Sequence, residues 1–139
     1  MDKHQIREQV FRIIFGIGFQ EDKEPEALID QYIDDSCDIE LKSADRRKIT
    51  EKALAVSSRI PEIDEKINAV AEGWKTNRMG KAELNILRLA LYEILYDDSV
   101  PVKVAINEAV ELSKEYCNDD APAFINGMLA NFVPGDNQP

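Results

Sequence analysis

Residues 81–96 read KAELNILRLALYEILY, and this stretch decides the class of fold. Its apolar residues recur at intervals of three and four, which places Leu84, Leu87 and Leu91 on one side of a helix. No part of the chain alternates apolar and polar residues for long enough to indicate a strand. The sequence therefore predicts an all-α protein.

The same periodicity predicts seven helices, separated at proline, glycine and capping residues. The predicted helices cover residues 3–19, 25–36, 43–60, 61–73, 81–96, 102–116 and 122–132. A connector over 74–80 separates a charge-rich N-terminal half from a more apolar C-terminal half. We expect one domain over 1–133, made of an N-terminal sub-bundle over about 1–73 and a C-terminal sub-bundle over about 81–133, and a disordered tail over 134–139.

The composition is that of a single folded domain. The chain has 139 residues, of which 44% are hydrophobic and 32% are charged, and this length suits one domain with its own core. No apolar run approaches the roughly 20 residues that cross a bilayer, and the N-terminus lacks the layout of a signal peptide. Cys37 and Cys117 match no metal-binding spacing. We therefore expect a cytoplasmic protein with reduced thiols and no membrane association.

The formal net charge is −10, from 17 basic and 27 acidic residues. Because an acidic surface repels phosphate groups, any binding of nucleic acid has to be local or supported by a partner. Within residues 2–20, Lys3, Arg7 and Arg12 outnumber Asp2 and Glu8. The N-terminal segment is therefore a slightly basic patch on an acidic protein.

The first predicted helix has two apolar faces. Five aliphatic residues share one stripe: Ile6, Val10, Ile13, Ile14 and Ile17. A second row on the opposite side steps by four and contains Phe11, Phe15 and Phe19. A helix that is apolar all round is usually buried on both sides, whereas an exposed aromatic row usually marks an interface. The periodicity alone leaves both interpretations open.

No arrangement of residues indicates catalysis. His4, the single histidine, has no evident partner in sequence, and Cys117 has no histidine near it. The acidic pairs fall at predicted helix ends, where they suit capping and solvation better than acid–base chemistry. No glycine-rich phosphate-binding motif follows a strand. We therefore predict no catalytic residues, no metal and no cofactor, and a binding role.

The C-terminal half contains a specific sequence pattern. Residues 86–95 read ILRLALYEIL, residues 100–114 read VPVKVAINEAVELSK, and residues 124–129 read FINGML. In this order and spacing they resemble the NusB family of bacterial transcription antitermination factors. The resemblance is dense over 78–130 and diffuse elsewhere. It implies an all-helical fold of two packed three-helix bundles, the first of which contains the N-terminal helix.

Three polar residues lie within the apolar helices of this pattern, namely Arg88, Asn107 and Asn126. Buried polar groups need hydrogen-bond partners, so we expect these side chains to fix how the helices meet rather than to bind a ligand.

The resemblance also implies a function without a bond-breaking step. Family members bind the boxA element of ribosomal RNA leader transcripts together with NusE, a small-subunit ribosomal protein. The assembly helps RNA polymerase to pass termination signals. Single-stranded RNA in such a complex is held by cationic side chains on phosphates and by aromatic side chains that stack on bases.

The resemblance assigns site residues by position. It implies partner binding by Phe15, Phe19 and Glu83, and RNA binding by Lys3, His4, Arg7, Lys103, Tyr116, Asp120 and Phe124. Core packing is the alternative for Tyr116 and Phe124, and a contact with the helix dipole is the alternative for Glu83. Because cations are sparse at the N-terminus, we expect weak RNA binding by the isolated protein and a gain when NusE is present.

Two other functions are weighed against this one. A diverged protein-interaction module that has lost RNA binding is compatible with the acidic charge. A similar helical domain also precedes the catalytic part of some ribosomal RNA methyltransferases, but 139 residues leave no room for a cofactor-binding α/β domain. Self-association through the phenylalanine row is a further expectation when the partner is absent.

Overall fold

The structure, a computed structural model, describes residues 1–17, 24–36, 42–71 and 76–133. Within these ranges it contains seven α-helices, one short 3₁₀ helix and no strand, which confirms the all-α prediction. The helices are α1 (Lys3–Ile17), α2 (Pro25–Ser36), α3 (Ser43–Ser58), α4 (Ile60–Val70), α5 (Lys81–Tyr96), α6 (Val102–Tyr116) and α7 (Ala121–Ala130), and the 3₁₀ helix covers Thr76–Arg78.

Local signals set most of these boundaries. The bounds of α2, α5 and α6 agree with the predicted ranges. The break between α3 and α4 lies at Arg59, and Pro61 occupies the first turn of α4, where its missing N–H costs no hydrogen bond. The predicted end of the first helix, Trp74 of the connector and the predicted disordered tail all lie outside the described residues.

The chain divides into two compact units, Met1–Ser58 and Arg59–Pro139. In the first unit, α1, α2 and α3 form a three-helix bundle in which each helix contacts the other two. In the second unit, α5 contacts α4, α6 and α7. The expected division lay between residues 73 and 81 instead. The difference arises because α4 packs against α5, so the second unit holds four α-helices rather than three.

In α1, a wide arc of the helix is buried. The aliphatic residues Val10, Ile13 and Ile14 are almost fully buried, and so is Phe11. At about 100° per residue, Arg7 falls on this arc between Ile14 and Phe11. The buried face of α1 is therefore wider than the aliphatic stripe alone, and it includes one arginine.

In α5, the buried residues surround much of the helix, because three other helices pack on it. Ile86, Leu87, Leu89 and Leu91 are at most 1% exposed. Leu95, which follows Leu91 by four residues and so continues the apolar period, is 36% exposed near the C-terminal end of the helix. The apolar periodicity therefore located the helix correctly but underestimated how much of its circumference is covered.

A bidentate ion pair joins α4 to α5. The Arg88 guanidinium donates from Nε to Asp64 Oδ1 at 2.9 Å and from Nη2 to Asp64 Oδ2 at 2.7 Å. A third bond runs from Arg88 Nη1 to Asn85 Oδ1 at 3.2 Å, and the Asn85 amide donates to the Lys81 carbonyl at 2.8 Å. The two charged side chains are 12% and 22% exposed. Arg88 therefore has the structural role expected of it.

Asn107 and Asn126 differ from this expectation. Both are exposed, on α6 and α7 respectively. The buried structural role predicted for these two side chains is wrong, because they lie on the solvent side of helices whose opposite sides form the core.

Replacing Arg88 with lysine should lower the free energy of unfolding by about 2 kcal/mol. A lysine ammonium cannot reproduce the two parallel bonds to Asp64 and the bond to Asn85. Urea denaturation followed by circular dichroism measures the change. Lys114→Gln is the matched control, because it breaks the exposed pair between Lys114 and Glu111 and should cost less than about 0.5 kcal/mol. Equal losses in the two variants would contradict the role given to Arg88.

Candidate binding site

Two predicted RNA-binding residues begin α1 in the first unit. Lys3 is exposed and His4 is half-buried. His4 Nε2 lies 3.9 Å from Glu8 Oε2, one turn further along the helix. Both side chains stand at the start of the helix, where they are accessible to a phosphate group.

Arg7 does not extend this basic patch. Its side chain belongs to the buried arc of α1 and the residue is only 6% exposed. Helical periodicity is the cause, because position 7 lies between the aliphatic stripe and Phe11. The prediction that Arg7 contacts phosphate therefore conflicts with its place in the core of the first unit.

The phenylalanine row is divided between core and surface. Phe11 is 2% exposed, whereas Phe15 is 44% exposed, and their ring centroids are 5.9 Å apart. Phe19 lies outside the described residues. Phe15 is thus an exposed aromatic side chain that packs on the buried ring of Phe11. An exposed aromatic ring is what the interpretation of this row as an interface predicts.

A cleft of about 500 Å³ lies in the second unit. One wall comes from the end of the 3₁₀ helix and the first turn of α5, and the other from the α6–α7 connection and the first turns of α7. Its lining residues are Arg78, Met79, Gly80, Glu83, Asn118, Asp120, Ala121 and Phe124. The structure therefore brings together Glu83, predicted to bind a protein partner, and Asp120 and Phe124, predicted to bind RNA.

Asp120 and Phe124 stand at the start of α7. Asp120 occupies the N-cap position, yet its side chain makes no capping hydrogen bond. The Phe124 N–H donates to the Asp120 carbonyl at 3.3 Å, which begins the helix. Phe124 is half-buried, so part of its ring packs against the protein while the residue lines the cleft. The Asp120 carboxylate is not used for capping and can interact with a ligand.

Glu83 lies in the wall of the cleft that the first turn of α5 forms. A Cβ atom built on Gly80 would collide with the Glu83 carboxylate, so the absence of a side chain at Gly80 leaves space for it. Cys117 is the C-cap residue of α6. Burial raises the pKa of its thiol, and the neighbouring Glu83 carboxylate raises it further, to about 12. The thiol is therefore protonated at neutral pH.

The cleft contains one cation, Arg78, that is not among the site residues predicted from the sequence. Arg78 is exposed, and among the described residues no carboxylate forms an ion pair with it. Arg78 lies in the connector. Only the tertiary packing of the helices places it beside the α6–α7 connection. The available signal was a cation three residues before the start of α5, whose first turn contains the predicted binding residue Glu83.

Lys103 and Tyr116 lie at opposite ends of α6. Lys103 is exposed and Tyr116 is half-buried. Since a helix rises about 1.5 Å per residue, their backbones are about 20 Å apart. Neither residue lines the cleft, so the structure does not gather the predicted RNA-binding residues of the second unit into one place.

Two features are absent from the described part of the chain. No group of three or more His, Cys, Asp or Glu side chains there could hold a metal ion. No helix among those described has the length and apolar character needed to cross a membrane.

The contact between Cys117 and Glu83 predicts how fast the thiol reacts. In a Cys37→Ser background, Glu83→Gln should speed alkylation of Cys117 by iodoacetamide several-fold between about pH 8 and about pH 10, because only the thiolate reacts. The sign follows from the raised pKa. Removing the carboxylate removes a charge that disfavours the thiolate, so the pKa of Cys117 falls.

Asp120→Asn is the matched control for this experiment, since it neutralises the other carboxylate of the cleft. It should leave the alkylation rate nearly unchanged. Equal acceleration by both substitutions, or none by Glu83→Gln, would contradict the contact.

Comparison with known proteins gives a consistent result. The family model described as NusB family matches residues 4–134. The transcription antitermination protein NusB of Agathobacter rectalis is 42% identical over 137 residues, which cover 96% of this chain and 100% of the relative. Among solved structures, T. maritima NusB superposes with a TM-score of 0.82 at 25% identity, covering 99% of this chain and 93% of the other.

A second solved structure shares the fold at lower identity. It contains the antitermination factors NusB and NusE in complex with double-stranded RNA, and the matching chain has a TM-score of 0.77 at 22% identity. The match covers 95% of this chain and 97% of the other. The range matched by the family model includes every candidate site residue except Lys3.

Proposed function

This chain belongs to the NusB family, and on that basis we propose that it is a transcription antitermination factor that binds RNA together with NusE. The observation that carries the proposal is the family match, which spans both units of the structure. The proposed role is non-enzymatic and cytoplasmic. The protein acts as a binding platform within the antitermination complex of RNA polymerase during transcription of ribosomal RNA genes.

The proposed RNA ligand is a boxA-type element of a leader transcript. Lys3, Lys103 and Arg78 are exposed cations that suit phosphate groups. Phe124 supplies an aromatic surface for a base. The Asp120 carboxylate repels phosphate but accepts hydrogen bonds from base amino groups. We leave Arg7 out of this set because its side chain is buried.

The proposed protein partner is NusE, bound through Phe15 and Glu83. Phe15 offers exposed apolar area of the kind that anchors interfaces. Glu83 adds a carboxylate that lines the cleft in the first turn of α5. Phe19 stays in the proposal as a residue on the same predicted helical row.

The two ligands should bind cooperatively. With a net charge of −10 and few exposed cations near the proposed RNA contacts, the protein alone gains little from releasing counterions. A partner that adds its own cationic surface raises the number of phosphate contacts. NusE therefore increases RNA affinity in this account, and RNA increases NusE affinity by the same factor.

Titration of RNA at one fixed salt concentration tests this function. With NusE present, a boxA oligonucleotide should bind at least about tenfold more tightly than without it, and more tightly than a scrambled oligonucleotide.

Lys103→Gln should reduce the slope of log affinity against log salt by about 0.7, the value for one phosphate contact on a single strand. Lys66→Gln, an exposed cation on α4, is the control and should not change the slope.

A double-stranded RNA of the boxA sequence is titrated in the same way, because the solved complex of NusB and NusE contains double-stranded RNA. A boxA affinity that NusE does not change would contradict the proposal. The same holds for equal affinities toward boxA and scrambled RNA.

The partner surface is tested separately by Phe15→Asp. A carboxylate in place of the exposed ring should weaken NusE binding by about tenfold, because a buried charge without a partner is costly at an interface. Isothermal calorimetry measures the change. Val104→Asp is the matched control, since Val104 is 41% exposed and lies outside the proposed surface. An equal effect of both substitutions would exclude a specific role for Phe15.

Self-association is measured with the same variant. If the protein forms a dimer through Phe15 in the absence of NusE, sedimentation should show Phe15→Asp shifted toward monomer. A dimer that persists in this variant would place the self-contact elsewhere.

A second candidate function is a protein-interaction module that has lost RNA binding. The burial of Arg7 favours it, because it removes one of the few N-terminal cations from the surface. Weak binding of all RNA sequences, both with and without NusE, would support this candidate.

A further inference from the structure

The start of α3 carries cations that the proposed site does not use. We propose that it binds RNA phosphates and continues the surface that Lys3 begins in the first unit. This inference rests on the proposed function, which makes RNA a ligand of the protein. The surface, which we call the basic end, consists of Lys3, Lys42, Arg47 and Lys48, and all four residues are exposed.

The segment over 42–52 is basic although the protein is acidic. It reads KSADRRKITEK and contains five of the 17 Lys and Arg residues, together with two acidic residues. The whole chain has a net charge of −10. Lys52 is half-buried and is therefore left out of the basic end. A local excess of cations on an acidic protein is what the binding of a polyanion requires.

Three cations of this segment are not used inside the first unit. Arg46 is used there, because its Nη1 lies 2.9 Å from Asp34 Oδ1 on α2. Lys42, Arg47 and Lys48 form no ion pair with any carboxylate of the described residues. Their charges are therefore available to a ligand.

The acids around these cations are partly neutralised. Arg46 Nη2 also approaches Asp30 Oδ1 at 3.5 Å, and the Met1 amine lies 3.3 Å from Asp45 Oδ2. The exposed acids that remain near the basic end, within the ranges that the structure describes, are Asp2, Asp35 and Glu51. Four cations against three acids make the described part of this end positive, opposite in sign to the whole protein.

The contact between Met1 and Asp45 also places Lys3 beside α3. Asp45 lies in the first turn of α3, and Lys48 follows it by three residues, which makes the two neighbours on the helix surface. Lys3 follows Met1 by two residues, so their Cα atoms are at most about 7 Å apart. The packing of α1 on α3 holds the two helix starts together. The cations of both helices therefore lie at one end of the first unit.

The first helix alone offers one exposed cation of this kind. Arg7 is buried, and Arg12 Nη2 lies 3.2 Å from Glu8 Oε1. Lys3 is exposed and forms no ion pair with a described carboxylate. In this account α3 supplies the phosphate contacts that α1 lacks.

The stability of α3 does not explain these cations. The first turn of a helix carries a positive partial charge, which favours anions and disfavours cations. Lys42 directly precedes α3, and its carbonyl accepts a hydrogen bond from the Arg46 N–H at 2.9 Å. Arg47 and Lys48 begin the second turn. A phosphate group is attracted both by the helix start and by the three side chains.

The length of the surface suits a short stretch of a single strand. Lys42 and Lys48 are about 9 Å apart along the helix axis, at about 1.5 Å per residue. Proteins that bind single strands place cations along the path of the backbone. Because contacts with phosphates carry no sequence information, the basic end adds RNA affinity without adding a base preference.

Neutralising the start of α3 tests the inference in the full-length protein with NusE present. The triple variant Lys42→Gln, Arg47→Gln, Lys48→Gln should reduce the slope of log affinity against log salt by about 2, at about 0.7 for each phosphate contact on a single strand. It should weaken the binding of boxA and of scrambled RNA by the same factor, because no base contact is lost. Titration at several salt concentrations measures both effects.

Single substitutions give the matched control. Lys48→Gln should reduce the slope by about 0.7, whereas Lys66→Gln, which removes one exposed lysine from α4, should leave it unchanged. The two variants have the same net charge, so the difference between them reports the position of the lysine. Thermal unfolding followed by circular dichroism shows that each variant is folded.

An unchanged slope in the triple variant would overturn the inference. Equal slope losses in Lys48→Gln and Lys66→Gln would do the same, since they would show an effect of net charge alone. A triple variant that binds NusE more weakly in the absence of RNA, and has an unchanged RNA slope, would assign the surface to the protein partner instead.

Failure of the inference is distinguishable from failure of the proposed function. If NusE leaves boxA affinity unchanged, or if boxA and scrambled RNA bind equally, the proposed function fails, while the slope of the triple variant still reports on α3. If boxA binding is specific and depends on NusE, but the triple variant has an unchanged slope, the proposed function stands and only the inference is overturned.

Discussion

The packing of α5 is the constraint on which the second unit depends. Its buried face contacts α4, α6 and α7, and the pair between Arg88 and Asp64 fixes α4 against it. Because α5 is held over most of its length, its first turn stands in a defined position beside the α6–α7 connection. That placement creates the cleft and brings Glu83 next to the start of α7. The proposed binding surface is therefore a consequence of how one central helix is packed.

Local sequence signals predicted the helices well, because proline, glycine and a 3.6-residue apolar period act over a few residues. The bounds of α2, α5 and α6 illustrate this. The grouping of helices was less predictable. The assignment of α4 to the second unit depends on a contact between Asp64 and Arg88, which are distant in sequence. Burial of Arg7 could have been predicted from its position on the helical wheel, between two apolar rows.

The candidate site came from resemblance more than from periodicity. The apolar pattern of the first helix left the phenylalanine row open between core and interface, and the structure divides it, with Phe11 inside and Phe15 outside. The cleft combines residues from two connections, and no local pattern shows that Arg78 or Cys117 would lie near Glu83. Such contacts depend on the packing of whole helices, so a single sequence contains no direct signal for them.

The central claim is that one small helical protein binds a transcript and a ribosomal protein at the same time, through α1 and the cleft of the second unit. Amide hydrogen exchange on the protein alone, with NusE, with boxA RNA and with both tests this most directly. The account predicts that exchange slows in α1 and around the start of α7 when both ligands are present, and more than with either one alone. Protection confined to α2 and α3, or no change on adding the ligands, would contradict it.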